Sequence, residues 1–184
     1  IAAAQVKKYI GGGAKLMLEQ GMLATGGIPD GEFKPYYRQL LGYYEANVSV
    51  HSRPFDGALK LLDQLDAMGV RYAVVTNKFE SLAVKLLTDL GLAHRMGCIL
   101  GADTLGKESA KPSGAPIFEM VERCGGGRAA YIGDSIYDVM AAKNASVPSV
   151  AVSFGFLHGP VEELGADAII DHFDELIETL KRMA

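Results

Sequence analysis

The 184-residue sequence has no tryptophan and only two cysteines, Cys98 and Cys124. Two cysteines so far apart argue against a disulfide framework or a metal knuckle. Cys98 sits in an apolar, strand-like run and Cys124 in a helix-like one. Both read as buried thiols of a reducing compartment. An excess of positive charge is also missing: 18 Lys and Arg stand against 22 Asp and Glu, for a net charge of -4. That mild acidity argues against a nucleic-acid binder, which usually shows a basic patch or stripe. No stretch reaches the ~20 apolar residues needed to span a bilayer. A secretory signal is not apparent either, because Lys7 and Lys8 follow the short apolar start, the reverse of a signal peptide's order. A cytoplasmic protein without membrane or nucleic-acid partners is expected. The chain opens on Ile1 rather than Met, already inside a helix-like stretch. It is expected to be a fragment, with something missing upstream.

What is present falls into two patterns. Residues 1–50 are rich in Ala, Leu, Met and Tyr and carry almost no β-branched runs. They predict a small helical segment, with helices over residues 1–9, 14–20 and 33–47. The loop Thr25-Gly26-Gly27-Ile28-Pro29-Asp30-Gly31 separates the helices by its turn chemistry. Residues 51–184 predict a second domain of alternating strands and helices. Leu61, Leu62 and Leu65 mark one face of a helix over 57–68, which Gly69 ends. Residues 71–76, Arg-Tyr-Ala-Val-Val-Thr, form a near-continuous apolar run, the pattern of a strand buried on both faces. Helices follow over 81–90, 116–124, 136–144 and 173–182, and strands over 98–101, 129–133, 148–152 and 168–170. Such alternation implies a Rossmann-like α/β fold, a parallel sheet with helices on both faces. Right-handed crossovers put the C-terminal ends of all strands on one rim, where such folds bind ligands.

Three polar groups fall on that rim. Asp134 and Asp138 stand four apart, at a strand end and in the first turn of the next helix. Carboxylates so close repel unless a cation lies near them, and Mg²⁺ suits one or two carboxylates with water and phosphate. Helix capping would equally explain them. Gly133 lets the backbone turn at the strand end. Thr76 ends its strand with a hydroxyl that could hold a phosphoryl oxygen beside free backbone N–H groups; a turn or N-cap would also favour Thr and Asn there. Lys111 is fixed in a non-helical entry by Pro112. It could offset phosphate and carboxylate charge together, or simply be a solvated lysine. Lys15 and Arg38 could add positive charge for an anionic substrate, but each is more simply a surface side chain. Gly11-Gly12-Gly13 precedes a helix but follows no strand, so a dinucleotide fingerprint is excluded.

In order and placement these groups resemble the haloacid dehalogenase superfamily, and most closely its phosphoglycolate-phosphatase-like branch. Val74-Val75-Thr76-Asn77-Lys78 looks like the second motif and Lys111-Pro112 like the third. Gly133-Asp134-Ser135-Ile136-Tyr137-Asp138, with the following Ala141-Ala142-Lys143-Asn144-Ala145, looks like the fourth. Ile10-Gly11-Gly12-Gly13-Ala14 is similar to the cap of phosphoglycolate phosphatases. The resemblance implies a Mg²⁺-dependent hydrolysis of a small phosphorylated metabolite through an aspartyl-phosphate intermediate. Thr76 would bind the phosphoryl group with Asn77 in support. Lys111 would stabilise nucleophile and phosphate. Asp134 would ligate Mg²⁺, and Asp138 would hold that site directly or through water. The first motif, Asp-x-Asp-Gly-Thr after an apolar strand, is not in the sequence, and Phe55-Asp56-Gly57-Ala58 is only a scrap of it. The central first strand of the sheet and the nucleophile are therefore expected to be missing, leaving this chain alone inactive. Ser113-Gly114 stands where relatives often have a further proline. A phosphomutase of the β-phosphoglucomutase type, or a truncated phosphate- or metal-binding module without catalysis, would share the same motifs.

Overall fold

Apolar residues at helical spacing form seven α-helices in the computed structural model, which describes residues 9–183. The helix expected over residues 1–9 lies outside the described residues except for Tyr9. The helices are α1 (Ala14–Leu23), α2 (Phe33–Asn47), α3 (Ala58–Ala67), α4 (Glu80–Asp89), α5 (Ala115–Arg123), α6 (Ile136–Asn144) and α7 (Leu176–Met183). Five short strands alternate with the later helices: β1 (Val74–Val75), β2 (Ile99–Leu100), β3 (Tyr131–Gly133), β4 (Ser149–Val152) and β5 (Ala168–Ile170). No helix among the described residues is long and apolar enough to cross a membrane. Cys98 and Cys124 are both free thiols.

Every strand pair is parallel, as the strand–helix alternation requires. The helices α3 and α7 cover one face of the β3–β4–β5 sheet. There Leu61, Leu65 and Leu176 pack with Val150, Val152 and Ile170. On another side Ile117 of α5 meets Ala141, Ala142 and Ala145 at the end of α6, with Val75 and Tyr131 packed against them. The small residues of α6 let that helix lie close to the strands. In contrast, α1 and α2 bury no residue completely, and they pack mainly on each other.

The sheet is divided. β1 pairs with β2, while β3, β4 and β5 form a second group in that order. β1 and β3 face each other without pairing, across a cleft of about 770 Å³ lined by Val74, Val75, Ile117, Tyr131 and Ile132. The division also corrects one expectation. The run over 71–76 was to be buried on both faces, yet Val74 and Val75 are only half-buried. Among the described residues β1 pairs with β2 alone, and its other edge borders the cleft. Its hydrogen bonds still run the expected length: Gly97 N donates to the Tyr72 carbonyl at 2.9 Å, Val74 N to Cys98 at 3.0 Å and Thr76 N to Leu100 at 3.0 Å. β4, flanked on both sides, is buried throughout.

The core contacts predict a contrast within α3. Leu65, 7% exposed in the main cluster, should cost about 2–5 kcal/mol when truncated to Ala. Leu59, 48% exposed on the same helix, should stay within about 0.5 kcal/mol. Urea unfolding midpoints of Leu65→Ala and Leu59→Ala check both values.

Candidate active site

Thr76 and Asp134 leave the C-terminal ends of β1 and β3, and Lys111 enters between them from the segment before α5. The structure ties Lys111 to the β1 end and to the start of α6, through Asp138 rather than Asp134. Lys111 Nζ lies 2.5 Å from Asp138 Oδ1, 3.0 Å from the Tyr131 hydroxyl and 3.3 Å from the Val75 carbonyl. Only 10% of the Lys111 side chain and 9% of the Asp138 side chain remain exposed. Lys111 is thus a buried ion-pair partner, not a solvated lysine. The Tyr131 hydroxyl donates to the Val75 carbonyl at 2.8 Å. Side chains therefore bridge the β1 and β3 edges where backbone hydrogen bonds do not.

Asp138 serves two structures at once. Its Oδ1 takes Lys111. Its Oδ2 accepts from Ser135 Oγ at 2.5 Å, Ser135 N at 3.0 Å and Asp134 N at 3.3 Å. With Ser135 as N-cap this makes a capping box at the start of α6. Capping and cation binding, alternatives for the acidic loop as a sequence, coexist here. The cation beside Asp138 is the Lys111 ammonium. Asp134 faces the other way, and its Oδ2 accepts from Phe156 N at 2.7 Å. Among the described residues no third acidic, His or Cys side chain joins the two in a metal-holding group. Asp134 and Asp138 are the acidic side chains of this loop, and both Asp138 oxygens are engaged, Oδ1 by Lys111 and Oδ2 by the Ser135 donors.

Burial works against both charges of the pair, yet each group is held charged. Burial alone would raise the Asp138 pKa, but the Lys111 ammonium and the Ser135 donors outweigh it and hold the carboxyl below its ordinary value. Burial alone would lower Lys111, but Tyr131 and the Asp138 carboxylate keep it above the ordinary lysine value. Burial pushes the Tyr131 hydroxyl up to about 12, so it stays neutral at physiological pH.

Asn77 spends its amide on backbone. Its Nδ2 donates to the carbonyls of Lys111 at 3.1 Å and Gly11 at 3.2 Å, and its Oδ1 accepts from Lys111 N at 2.9 Å. It locks the Thr76 loop to the Lys111 segment and ties both to the glycine run before α1. The Thr76 hydroxyl accepts from Lys78 N at 3.1 Å, closing a tight turn. Lys15 pairs with Glu19 at 3.7 Å on the exposed side of α1, and Arg38 is exposed on α2. Neither joins the site.

Two glycines owe their place to close approach. A Cβ on Gly133 would stand 2.3 Å from Asp138 Cβ, and one on Gly155 would stand 2.2 Å from Asp134 Cβ. Gly133 does not adopt positive φ, so it is required by the packing of Asp138, not by a sharp turn. Sequence reasoning missed Tyr131 and Gly155, while Ser135, one of two N-cap candidates in the sequence, is the N-cap. For Tyr131 a signal existed: a phenol inside an apolar strand needs a buried hydrogen-bond partner.

Replacing Asp138 by Asn leaves the Lys111 ammonium buried without its counter-charge. Unfolding free energy at pH 7 should fall by about 3–5 kcal/mol. The sign with pH follows from the lowered carboxyl: its contribution is complete above about pH 4 and is lost as pH falls through the lower folded value. Urea unfolding between pH 2 and pH 7 should show this acid-side loss in the unmodified chain and its absence in Asp138→Asn.

Residues 4–152 match the family of haloacid dehalogenase-like hydrolases. The chain is 38% identical over 174 residues to a phosphoglycolate phosphatase of Agrobacterium fabrum, spanning 93% of this chain and 74% of that protein. It is 38% identical over 171 residues to a phosphoglycolate phosphatase of Caulobacter vibrioides, spanning 91% and 71%. The crystal structure of a predicted phosphoglycolate phosphatase from Haemophilus somnus superposes with a TM-score of 0.88 at 28% identity, covering 98% of this chain and 83% of that one. The chain belongs to the haloacid dehalogenase-like hydrolase family.

Proposed function

We propose that this chain carries the phosphoryl-binding and metal-binding half of a Mg²⁺-dependent phosphomonoester hydrolase acting on a small phosphorylated metabolite, with phosphoglycolate the first candidate. The observation that carries the reading is the buried Lys111–Asp138 pair at the β3–α6 junction, tied by Asn77 to the loop that follows Thr76 at the end of β1. The names of the relatives support the substrate class. Residues 1–50 act as the cap and residues 51–184 as the catalytic core in this scheme.

The Thr76 hydroxyl and the backbone N–H groups of its loop hold a phosphoryl oxygen. Lys111 supplies a positive charge that persists above neutral pH. Asp138 spreads its own charge over the α6 N-terminus and the Ser135 donors as well as Lys111, so the lysine is not wholly neutralised by its partner. Asn77 keeps the Thr76 loop and the Lys111 segment in fixed relation. Asp134 would hold Mg²⁺, with Asp138 steadying its loop from behind, directly or through water. Bound there, the metal would offset charge on the phosphoryl oxygens. The nucleophilic carboxylate of an aspartyl-phosphate route is not among these residues.

Isothermal titration of the chain with Mg²⁺ tests the metal site. Gly155→Ala should weaken binding about 10- to 100-fold by displacing Asp134, and Asp134→Asn should abolish it. Equal affinity in all three proteins would remove Asp134 from the role. Hydrolysis of p-nitrophenyl phosphate by the purified 184-residue chain with Mg²⁺ should be undetectable. Measurable turnover would place a complete nucleophilic site within the chain.

A further inference from the structure

The Thr76 loop presents a second cation. Lys78 has its backbone fixed at both ends of the residue: its N–H donates to Thr76 Oγ1 at 3.1 Å, and its carbonyl accepts from Ala102 N at 2.9 Å. From that fixed backbone the side chain reaches α2. Its ammonium hydrogen-bonds the Tyr44 hydroxyl and lies 4.3 Å from the Tyr44 ring centroid. Both residues are half-buried. Lys111, the neighbouring cation, has the Asp138 carboxylate at 2.5 Å. Among the described residues no carboxylate lies within ion-pair distance of Lys78, and its ammonium rests against the tyrosine. A ring face and a phenol orient an ammonium but do not neutralise it.

The arrangement leaves net positive charge two residues from the phosphoryl-binding hydroxyl, facing the helical segment. A lysine serving only solubility would project into water with free rotamers. Lys78 instead has a fixed backbone and an aromatic guide, so little side-chain entropy remains to be lost when an anion arrives.

We infer that Lys78, oriented by Tyr44, is a specificity-determining residue that receives a second anionic group of the substrate, a carboxylate close to the phosphoryl group. The inference rests on the phosphomonoester reading above. It assigns the phosphoryl group to the Thr76 and Lys111 side of the loop and the carboxylate to the Lys78 and Tyr44 side. A phosphorylated hydroxy acid satisfies both sides, whereas a phosphorylated alcohol satisfies one.

The test is isothermal titration of the full 184-residue chain, in Mg²⁺, with inorganic phosphate, ethyl phosphate and 2-phosphoglycolate. The expected result is 2-phosphoglycolate binding about tenfold tighter than ethyl phosphate, the value of one charge-assisted hydrogen bond. In Lys78→Met the ratio of these two affinities should fall to about one, and in Lys78→Arg most of it should return. Circular dichroism confirms that each variant is folded. A ratio near one in the unmodified chain, or a ratio unchanged in Lys78→Met, overturns the role of Lys78 while leaving phosphate binding intact. Failure of all three ligands to bind the folded chain overturns this inference together with the phosphomonoester reading.

Discussion

The ion pair between Lys111 and Asp138 is the contact on which the site depends. It joins three segments that share no backbone pairing: the end of β1 through the Val75 carbonyl, the entry to α5 through Lys111, and the start of α6 through Asp138. Its burial makes it demanding. Two charges removed from water are tolerated only where every remaining polar atom is satisfied. Here Tyr131, Ser135 and the Asp134 N–H supply the partners, and no buried side-chain polar atom among the described residues lacks one. The same carboxylate that starts a helix thus fixes a cation at the rim of the sheet. Asp134, one residue before the cap, is left to face outward.

The divided sheet gives that contact more structural weight. In an intact parallel sheet, backbone hydrogen bonds hold adjacent strands. Between β1 and β3 that role falls to side chains, namely the Tyr131 hydroxyl and the Lys111 ammonium on one carbonyl. The cleft between the two strand groups is walled by apolar residues, among them Ile117 and Ile132. Half-buried valines in β1 and fully buried residues in β4 record the same asymmetry.

Much of this was legible from the residues. Thr76 and Asp134 directly follow apolar strands and Asp138 lies in the next helical turn, and parallel topology sends such strand ends to one rim; Lys111 is marked by its place before a helix and by Pro112. The α/β class follows from the alternation, and family membership agrees with both. The division of labour between the two aspartates was not legible. A spacing of four fits a shared cation and a capping box equally well, and only the position of Lys111, 27 residues earlier in the chain, decides that Asp138 is inward and paired. Gly155 was invisible for a similar reason: its need to be glycine comes from a carboxylate 21 residues before it. The Lys78–Tyr44 contact joins residues 34 apart, on a loop and a helix whose relative placement no local pattern specifies.

A double-mutant cycle on Lys111 and Asp138 tests the central claim most directly. Lys111→Met, Asp138→Asn and the double variant are compared by urea unfolding at pH 7. If the pair organises the rim, the double variant will be more stable than the two single losses summed, by on the order of 2 kcal/mol. Losses that simply add would show that the two residues act independently and would contradict the account.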